Sequence, residues 1–296
     1  MNRASNLRQL FASPRIITCA GAHNAAGARV AEIVGFDAIW SSSFEISASY
    51  CVPDSSILSM SQYLHIAQSI AESVSVPVVA DCDTGYGNST DVANTVVRFE
   101  AAGVAGISIE DQTFPKTNSL INGTRRLVSI PEFKDKVRAA KSAQVNPDFM
   151  VIARVEALIA GADHQEALLR ATEYSEAGAD AILIHWNQAS VSPIEGFLRE
   201  WSYKVPVVVI PTTYFSVSRQ QLERLGAKMV IYANQGIRSA LRAMEETFTS
   251  ILADGSTSAV ERSIWPIARI FEELQGVRDI AEPPNEGVVL TTPRRN

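Results

Sequence analysis

The apolar run at residues 76–80 ends in Asp81 and Asp83, two positions apart, and a strand turns such positions to one face. A second apolar run, residues 104–109, ends in Glu110 and Asp111. Asp81, Asp83 and Glu110 at neighbouring strand ends would offer hard oxygen ligands suited to Mg2+ or Mn2+, and Mg2+ usually keeps several waters while touching few protein groups. The alternative is that these acids are helix caps and solvated loop residues. A D-x-D closing a buried strand is poorly placed for solvation alone, which favours the metal reading.

The chain then runs through residues 113–126 without periodicity, whereas connections of this kind usually span about 2 to 6 residues. The stretch carries Lys116, Asn118, Ser119 and Leu120, which suits a gate that excludes water on closing; an idle surface insertion is the alternative. Arg154 follows the apolar residues 150–153, so its guanidinium can fork onto a carboxylate or a phosphoryl group, or else pair with Glu156 or Glu110. His185 closes the run 181–184 and is either a hydrogen-bond donor or acid-base group in the site, or a structural histidine. Trp40 is either a pocket wall or core. Gly85-Tyr86-Gly87-Asn88 can meet an anion with its N–H groups, and it is equally the composition of a tight turn.

Eight short apolar runs must position these groups: residues 16–20, 38–41, 76–82, 106–110, 149–154, 181–185, 207–211 and 229–233. Most are continuously apolar, as strands buried on both faces of a parallel sheet are. Helical patterns separate them, among them 91–102 ending at Gly103, 133–143 after the Ser129-x-x-Glu132 spacing of a capping box, and 166–177 ending at Gly178. The pattern predicts an α/β fold, a single (β/α)8 barrel with its active site at the strand C-termini; a doubly wound open sheet is second, and loses support because no G-x-G-x-x-G follows the first run. Further helices are predicted at 236–252 and 258–275, where an extra helix needs a surface to cover, such as one on another subunit. Residues 1–277 are thus expected to form one domain and 278–296 a loosely ordered tail.

The chain is 46% hydrophobic and 20% charged with a net charge of -6, which excludes a largely disordered chain and argues against a general nucleic-acid binder. Cys19, Cys51 and Cys82 form no CxxC and suit a reducing compartment. No leader pattern and no membrane-length apolar run is visible, and a cytoplasmic protein is expected.

Four phrases in order identify a resemblance over residues 15–275: Ile39-Trp40-Ser41-Ser42, the stretch from Asp81 to Asn88, the stretch from Phe114 to Leu120, and Ala153-Arg154-Val155-Glu156-Ala157-Leu158-Ile159-Ala160-Gly161. The chain resembles the phosphoenolpyruvate mutase and isocitrate lyase superfamily, most closely the branch of phosphoenolpyruvate mutases and phosphonopyruvate hydrolases. The resemblance implies a barrel whose eighth helix is exchanged between subunits of a tetramer built from dimers. It also implies Mg2+ held largely through water by Asp81, Asp83 and Glu110, with Asp54 nearby. In that family Ser42 and Ser43 would offer backbone N–H groups to the substrate, Arg154 and His185 would contact it, and Lys116, Asn118, Ser119 and Leu120 would form the gate.

Asn118-Ser119 looks like the loop of the mutases, where hydrolases tend to have threonine in place of Asn118, so the expected activity is interconversion of phosphoenolpyruvate and phosphonopyruvate. Residues 44–54 look more like a hydrolase, and hydrolysis of phosphonopyruvate is the alternative. Gln112 stands where both have the lysine of Glu-Asp-Lys and matches the Glu-Asp-Gln of the carbon-carbon lyases, but the loop lacks the lyases' Lys-Arg-Cys-Gly-His cysteine. A lyase or an oxaloacetate hydrolase therefore comes third. Ser43, commonly glycine in this branch, and Trp186 are further departures.

Overall fold

In the computed structural model, residues 2–121, 123–202 and 205–276 are described; the expected tail at 278–296 lies outside them. Eight strands close a barrel in sequence order, each parallel to its neighbours: β1 (Ile17–Ala22), β2 (Ala38–Ser41), β3 (Val78–Asp81), β4 (Gly106–Glu110), β5 (Met150–Val155), β6 (Ala181–Ile184), β7 (Val207–Val209) and β8 (Ala227–Tyr232). Every expected run is a strand. β7 is shorter than the run 207–211, because Pro211 has no N–H for the ladder.

Strand periodicity divides the core into two layers. Ile17, Cys19, Ala38, Trp40, Val79, Ile152, Leu183, Met229 and Ile231 pack together in the barrel interior, joined by Ala4 and Leu7 of the helix Arg3–Ala12. The alternate residues Ile107, Ile109, Val151, Ala153, Ile182, Ile184, Val207 and Val209 pack outward with Phe99, Phe133, Phe197 and other helix residues. Side chains of adjacent positions point to opposite faces, so a continuously apolar strand fills both layers.

The connecting helices begin and end where their termini are satisfied. Asn88 caps the helix Ser89–Ala101 through the N–H groups of Thr90 and Asp91, and Asp91 returns a bond to the Asn88 N–H. Gly103 and Gly178 follow their helices with φ of +80° and +108°, a region where a side chain is strained. Gly85-Tyr86-Gly87 is a tight turn: Gly85 has φ +84°, and a Cβ there would meet Val92 at 2.3 Å.

The contacts divide the chain into a unit ending at Leu241, which contains the barrel, and a second unit from Arg242. In the second, Val260 is buried and the helix Ile267–Gln275 is shorter than expected. The predicted helix over 258–275 is corrected: residues 258–263 form turns, and the helix starts only after Pro266, whose ring and missing N–H do not fit a helix interior. The helix Gln235–Asp254 carries Leu241, Met244, Phe248 and Leu252 exposed at helical spacing. Among the described residues no helix is long and apolar enough to cross a membrane.

Candidate active site

The strand C-termini open on one cavity of about 530 Å3, counting the space open to solvent. β2 delivers Trp40, then Ser42 and Ser43; β3 and β4 deliver Asp81 and Glu110; β5 and β6 deliver Arg154 and His185; the ends of β7 and β8 add Ile210, Thr212 and Asn234. Asp54 reaches the same wall from the loop between the helices Ser43–Ser49 and Met60–Ser73, and Lys116, Thr117, Asn118, Ser119 and Leu120 cover it. Trp40 is both wall and core, being 1% exposed. Of the expected site residues only Asp83 is missing from the wall.

The expectation that Asp81 and Asp83 share a strand face is corrected by the backbone. β3 ends at Asp81, and Asp83 sits beyond it with φ +51°, a left-handed conformation that aspartate tolerates better than most residues. The turn, rather than the pleat, carries Asp83 beneath the cavity floor, where it is 1% exposed. Its carbonyl accepts from the Glu110 N–H at 2.7 Å and so ties the ends of β3 and β4 together.

Lys116 binds this acidic floor. Its Nζ lies 2.6 Å from Asp83 Oδ1 and 2.9 Å from Asp54 Oδ1, and donates to Ser43 Oγ at 3.0 Å. Ser43 Oγ in turn donates to Asp81 Oδ2 at 2.9 Å, so the Ser43 hydroxyl links Lys116 to an acid. Burial alone would lower the Lys116 pKa, but the charges of Asp83, Asp54 and Glu110 outweigh it and hold the ammonium protonated. Asp83 is pushed up to about 6 by burial, with the Asp81 and Asp54 charges adding to it and Lys116 opposing. Asn118 Nδ2 donates to the other Asp54 oxygen at 2.6 Å, while its Oδ1 accepts from the Leu120 N–H at 2.8 Å. Asn187, after β6, donates to the Ser119 carbonyl at 2.6 Å and holds the loop from the opposite side. The loop over residues 113–121 is therefore engaged with the floor and walls.

Arg154 is both a cavity residue and part of an ion-pair network. Its Nε is 2.5 Å from Glu156 Oε1 and 3.4 Å from Glu110 Oε2, and its Nη2 is 2.6 Å from His185 Nδ1. Strand register accounts for this: Glu110 of β4 is the direct partner of Arg154 of β5. Burial opposes the charge on Glu156, yet Arg154 and His185 hold its carboxyl well below the usual range. Glu110 goes the other way, raised well above that range by burial despite Arg154. Burial and the Arg154 charge lower the His185 pKa. Nδ1 of His185 lies between a group that only donates, Arg154 Nη2 at 2.6 Å, and one that only accepts, Glu156 Oε1 at 2.8 Å, so either tautomer finds a partner at Nδ1.

Ser42 and Ser43 divide their work. The Ser42 N–H is donated to the Ala22 carbonyl at 3.1 Å, and its Oγ caps the Glu45 N–H at 3.2 Å, so the expectation that Ser42 offers its backbone N–H to a ligand does not fit this geometry. Ser43 is the first residue of its helix, and such N–H groups have no intrahelical acceptor. Sequence reasoning left Gln112 unplaced; it is 2% exposed, lines the cavity and contacts Glu110. Phe44 and Ile210 are apolar walls outside the expected site residues, although Ile210 stands near the end of the apolar run 207–211. Trp186 is absent from the wall and donates to the Ser190 carbonyl at 2.8 Å.

The site fits a divalent cation by chemistry more than by ready-made coordination. Among the described residues, Asp54, Asp81, Asp83, Glu110 and Glu156 line or underlie the site with Lys116 and Arg154 as its buried lysine and arginine, and Asp83 Oδ2 is buried without a hydrogen-bond partner. Such an excess of carboxylate favours added positive charge. Among the described residues no group of three or more His, Cys, Asp or Glu side chains closes on one point, so direct coordination by protein alone is not in place. Hard carboxylates set back from a common centre suit an ion that keeps its water.

Residues 7–252 match the sequence profile of the phosphoenolpyruvate phosphomutase family. The phosphonopyruvate hydrolase of Variovorax sp. is 46% identical over 278 residues, 93% of this chain and 96% of the relative. A crystal structure of phosphoenolpyruvate phosphomutase from Streptomyces platensis subsp. rosaceus is 54% identical with a TM-score of 0.91, covering 92% of this chain and 95% of that one. A phosphonopyruvate hydrolase in complex with oxalate and Mg2+ is 45% identical with a TM-score of 0.88, covering 93% and 95%.

Proposed function

Because this chain belongs to the phosphoenolpyruvate phosphomutase family, we propose that it is a phosphoenolpyruvate mutase, an Mg2+-dependent isomerase that moves a phosphoryl group between the enol oxygen of phosphoenolpyruvate and C3 of pyruvate. The O–P bond breaks as the C–P bond forms, and no co-reactant enters. Water must therefore be kept from the phosphoryl group in transit.

The observation that carries this reading is the state of Asp54. One of its oxygens is paired with Lys116 and the other accepts from Asn118, at 2.9 Å and 2.6 Å, so both oxygens are already engaged and neither is turned to a water beside the phosphoryl group. Hydrolysis of phosphonopyruvate is the second reading, favoured by the 46% identity to the Variovorax hydrolase. The two are separated by incubating phosphonopyruvate with the protein and Mg2+ and following phosphorus by NMR: phosphoenolpyruvate without free phosphate is expected.

In the mutase reading Arg154 donates to the oxygens that gain charge as the pyruvate enolate and a metaphosphate-like group separate, fixed in place by Glu156 and Glu110. His185 contacts the substrate from the end of β6, and the Ser43 N–H meets a substrate carboxylate or carbonyl oxygen. Trp40 and Leu120 are apolar walls that exclude water. Asp81, Asp83 and Glu110 would hold Mg2+ largely through water, with Mn2+ a possible substitute; when bound, the ion supplies charge that stabilises the enolate. Small-molecule binding, no nucleic-acid or membrane partner and a cytoplasmic location complete the reading.

Metal binding should report the acid floor. With Asp83 at about 6 in the metal-free protein, its proton must leave before a cation is held. Apparent Mg2+ affinity should fall as pH drops through about 6, by up to about tenfold per pH unit for each proton displaced, and Glu110, raised well above the usual carboxylate range, extends the rise in affinity to higher pH. Calorimetric titration from pH 5 to 8 checks this, and an affinity independent of pH would contradict it. The sign for folding is opposite: the folded protein holds this proton longer than the unfolded chain, so this group's contribution lowers metal-free stability as pH rises from about 4 to about 6.

The exposed stripe Leu241, Met244, Phe248 and Leu252 supports exchange of the helix after β8 with a partner subunit, in a homotetramer built from dimers. Phe248→Glu should shift the assembly to smaller species in sedimentation. A wild type that is monomeric at micromolar concentration would contradict the exchange.

A further inference from the structure

We propose that Gln112 is a positioning residue that couples the gate to the two glutamates flanking Arg154, and that its amide, rather than a cation, is what this site needs at that position. The inference rests on the gate reading above.

Gln112 lies two residues beyond Glu110, at the foot of the loop, where it pairs with Leu127 as an isolated bridge and Thr113 donates to the Arg126 carbonyl at 2.9 Å. Its Nε2 donates to Glu110 Oε1 at 3.0 Å and to Glu156 Oε2 at 3.4 Å. Its Oε1 accepts from the Thr117 N–H at 3.3 Å, one residue after Lys116 and one before Asn118. Three separate segments thus meet on one buried amide: the ends of β4 and β5 and the centre of the gate.

The chemistry is selective for glutamine. The amide offers donors to two carboxylates and an acceptor to a backbone N–H on the same side chain. A lysine has donors but no acceptor, so it would leave the Thr117 N–H without this partner. A glutamate would accept from Thr117 but set a third carboxylate against Glu110 and Glu156. A leucine would fill much of the space and leave all three contacts unmade. With glutamine both glutamates keep a donor beside Arg154, while the gate keeps its anchor. When the gate lifts, Thr117 leaves the amide oxygen, so loop position and the orientation of the amide between Glu110 and Glu156 are linked.

The test compares Gln112→Lys and Gln112→Leu with the wild type, by amide hydrogen exchange in Mg2+ without substrate. Both variants should exchange about tenfold faster at residues 116–120, the loss expected for one anchoring hydrogen bond in a locally opening loop, with the barrel strands unchanged. Calorimetry should find Mg2+ affinity altered in Gln112→Leu, which loses both carboxylate contacts. With phosphonopyruvate, the free-phosphate share of product should rise in both. Unchanged exchange at 116–120 in both variants overturns the proposal, as does acceleration spread equally through the barrel strands, which would mark a merely structural residue. The exchange readout uses no turnover: a wild type that releases phosphate rather than phosphoenolpyruvate would refute the mutase reading and leave this result standing.

Discussion

Arg154→Met is expected to lower kcat/KM for phosphonopyruvate by about three orders of magnitude. Removing a positioned donor from a buried, charge-developing site typically costs about 3 to 4 kcal/mol of transition-state stabilisation. Here the donor is cationic and its geometry is set on three sides, by Glu156 at 2.5 Å, Glu110 at 3.4 Å and His185 at 2.6 Å. Methionine would also leave Glu110 and Glu156 without their cation, and breaking a buried pair in this way costs about 3 to 5 kcal/mol of stability. A lower melting temperature should therefore accompany the kinetic loss. Arg154→Lys separates the two effects, because one ammonium restores charge but cannot fork to Glu156 and His185 together. It should recover most of the stability and little of the rate. A methionine variant that folds and stays within tenfold of wild type would remove Arg154 from the chemistry.

The second large effect is on product rather than rate. In the mutase reading, Asn118→Thr should shift the main products from phosphoenolpyruvate to pyruvate and phosphate. Threonine lacks the amide nitrogen that reaches Asp54 Oδ2 and the carbonyl that accepts from Leu120. Asp54 then has one oxygen free to accept a proton from water, and the gate loses a local brace at Leu120. Asn118→Asp keeps the size but sets a carboxylate against Asp54, and should loosen the gate by repulsion. Product ratios measured by phosphorus NMR decide the matter. A partition unchanged in Asn118→Thr would mean that Asn118 does not guard the phosphoryl group.

The barrel was legible because its strands are short, continuously apolar and separated by helices with visible caps; residues 38–41 and 106–110 coincide with β2 and β4. The cavity wall was legible for the same reason, since Glu110, Arg154 and His185 stand where apolar runs stop. What escaped depends on backbone or partners that a run of letters does not show. Asp83 reaches the floor through a left-handed turn, not through strand alternation. Asp54 sits on a loop without periodicity, so only its family resemblance pointed to it. Gln112 looked out of place because its three contacts come from Glu110, Thr117 and Glu156, residues up to 44 positions away. The helix expected at 258–275 failed at Pro266, a residue whose veto on a helix interior was visible but outweighed by the apolar pattern around it.

The central claim is that this site moves the phosphoryl group internally and keeps water out. Phosphonopyruvate turned over by the wild-type protein with Mg2+ in 18O-enriched water, with products followed by phosphorus NMR, tests it most directly. The mutase reading predicts phosphoenolpyruvate as the product, with no 18O on its phosphorus and negligible free phosphate. Pyruvate with 18O-labelled phosphate as the main product would contradict it and assign the site to hydrolysis.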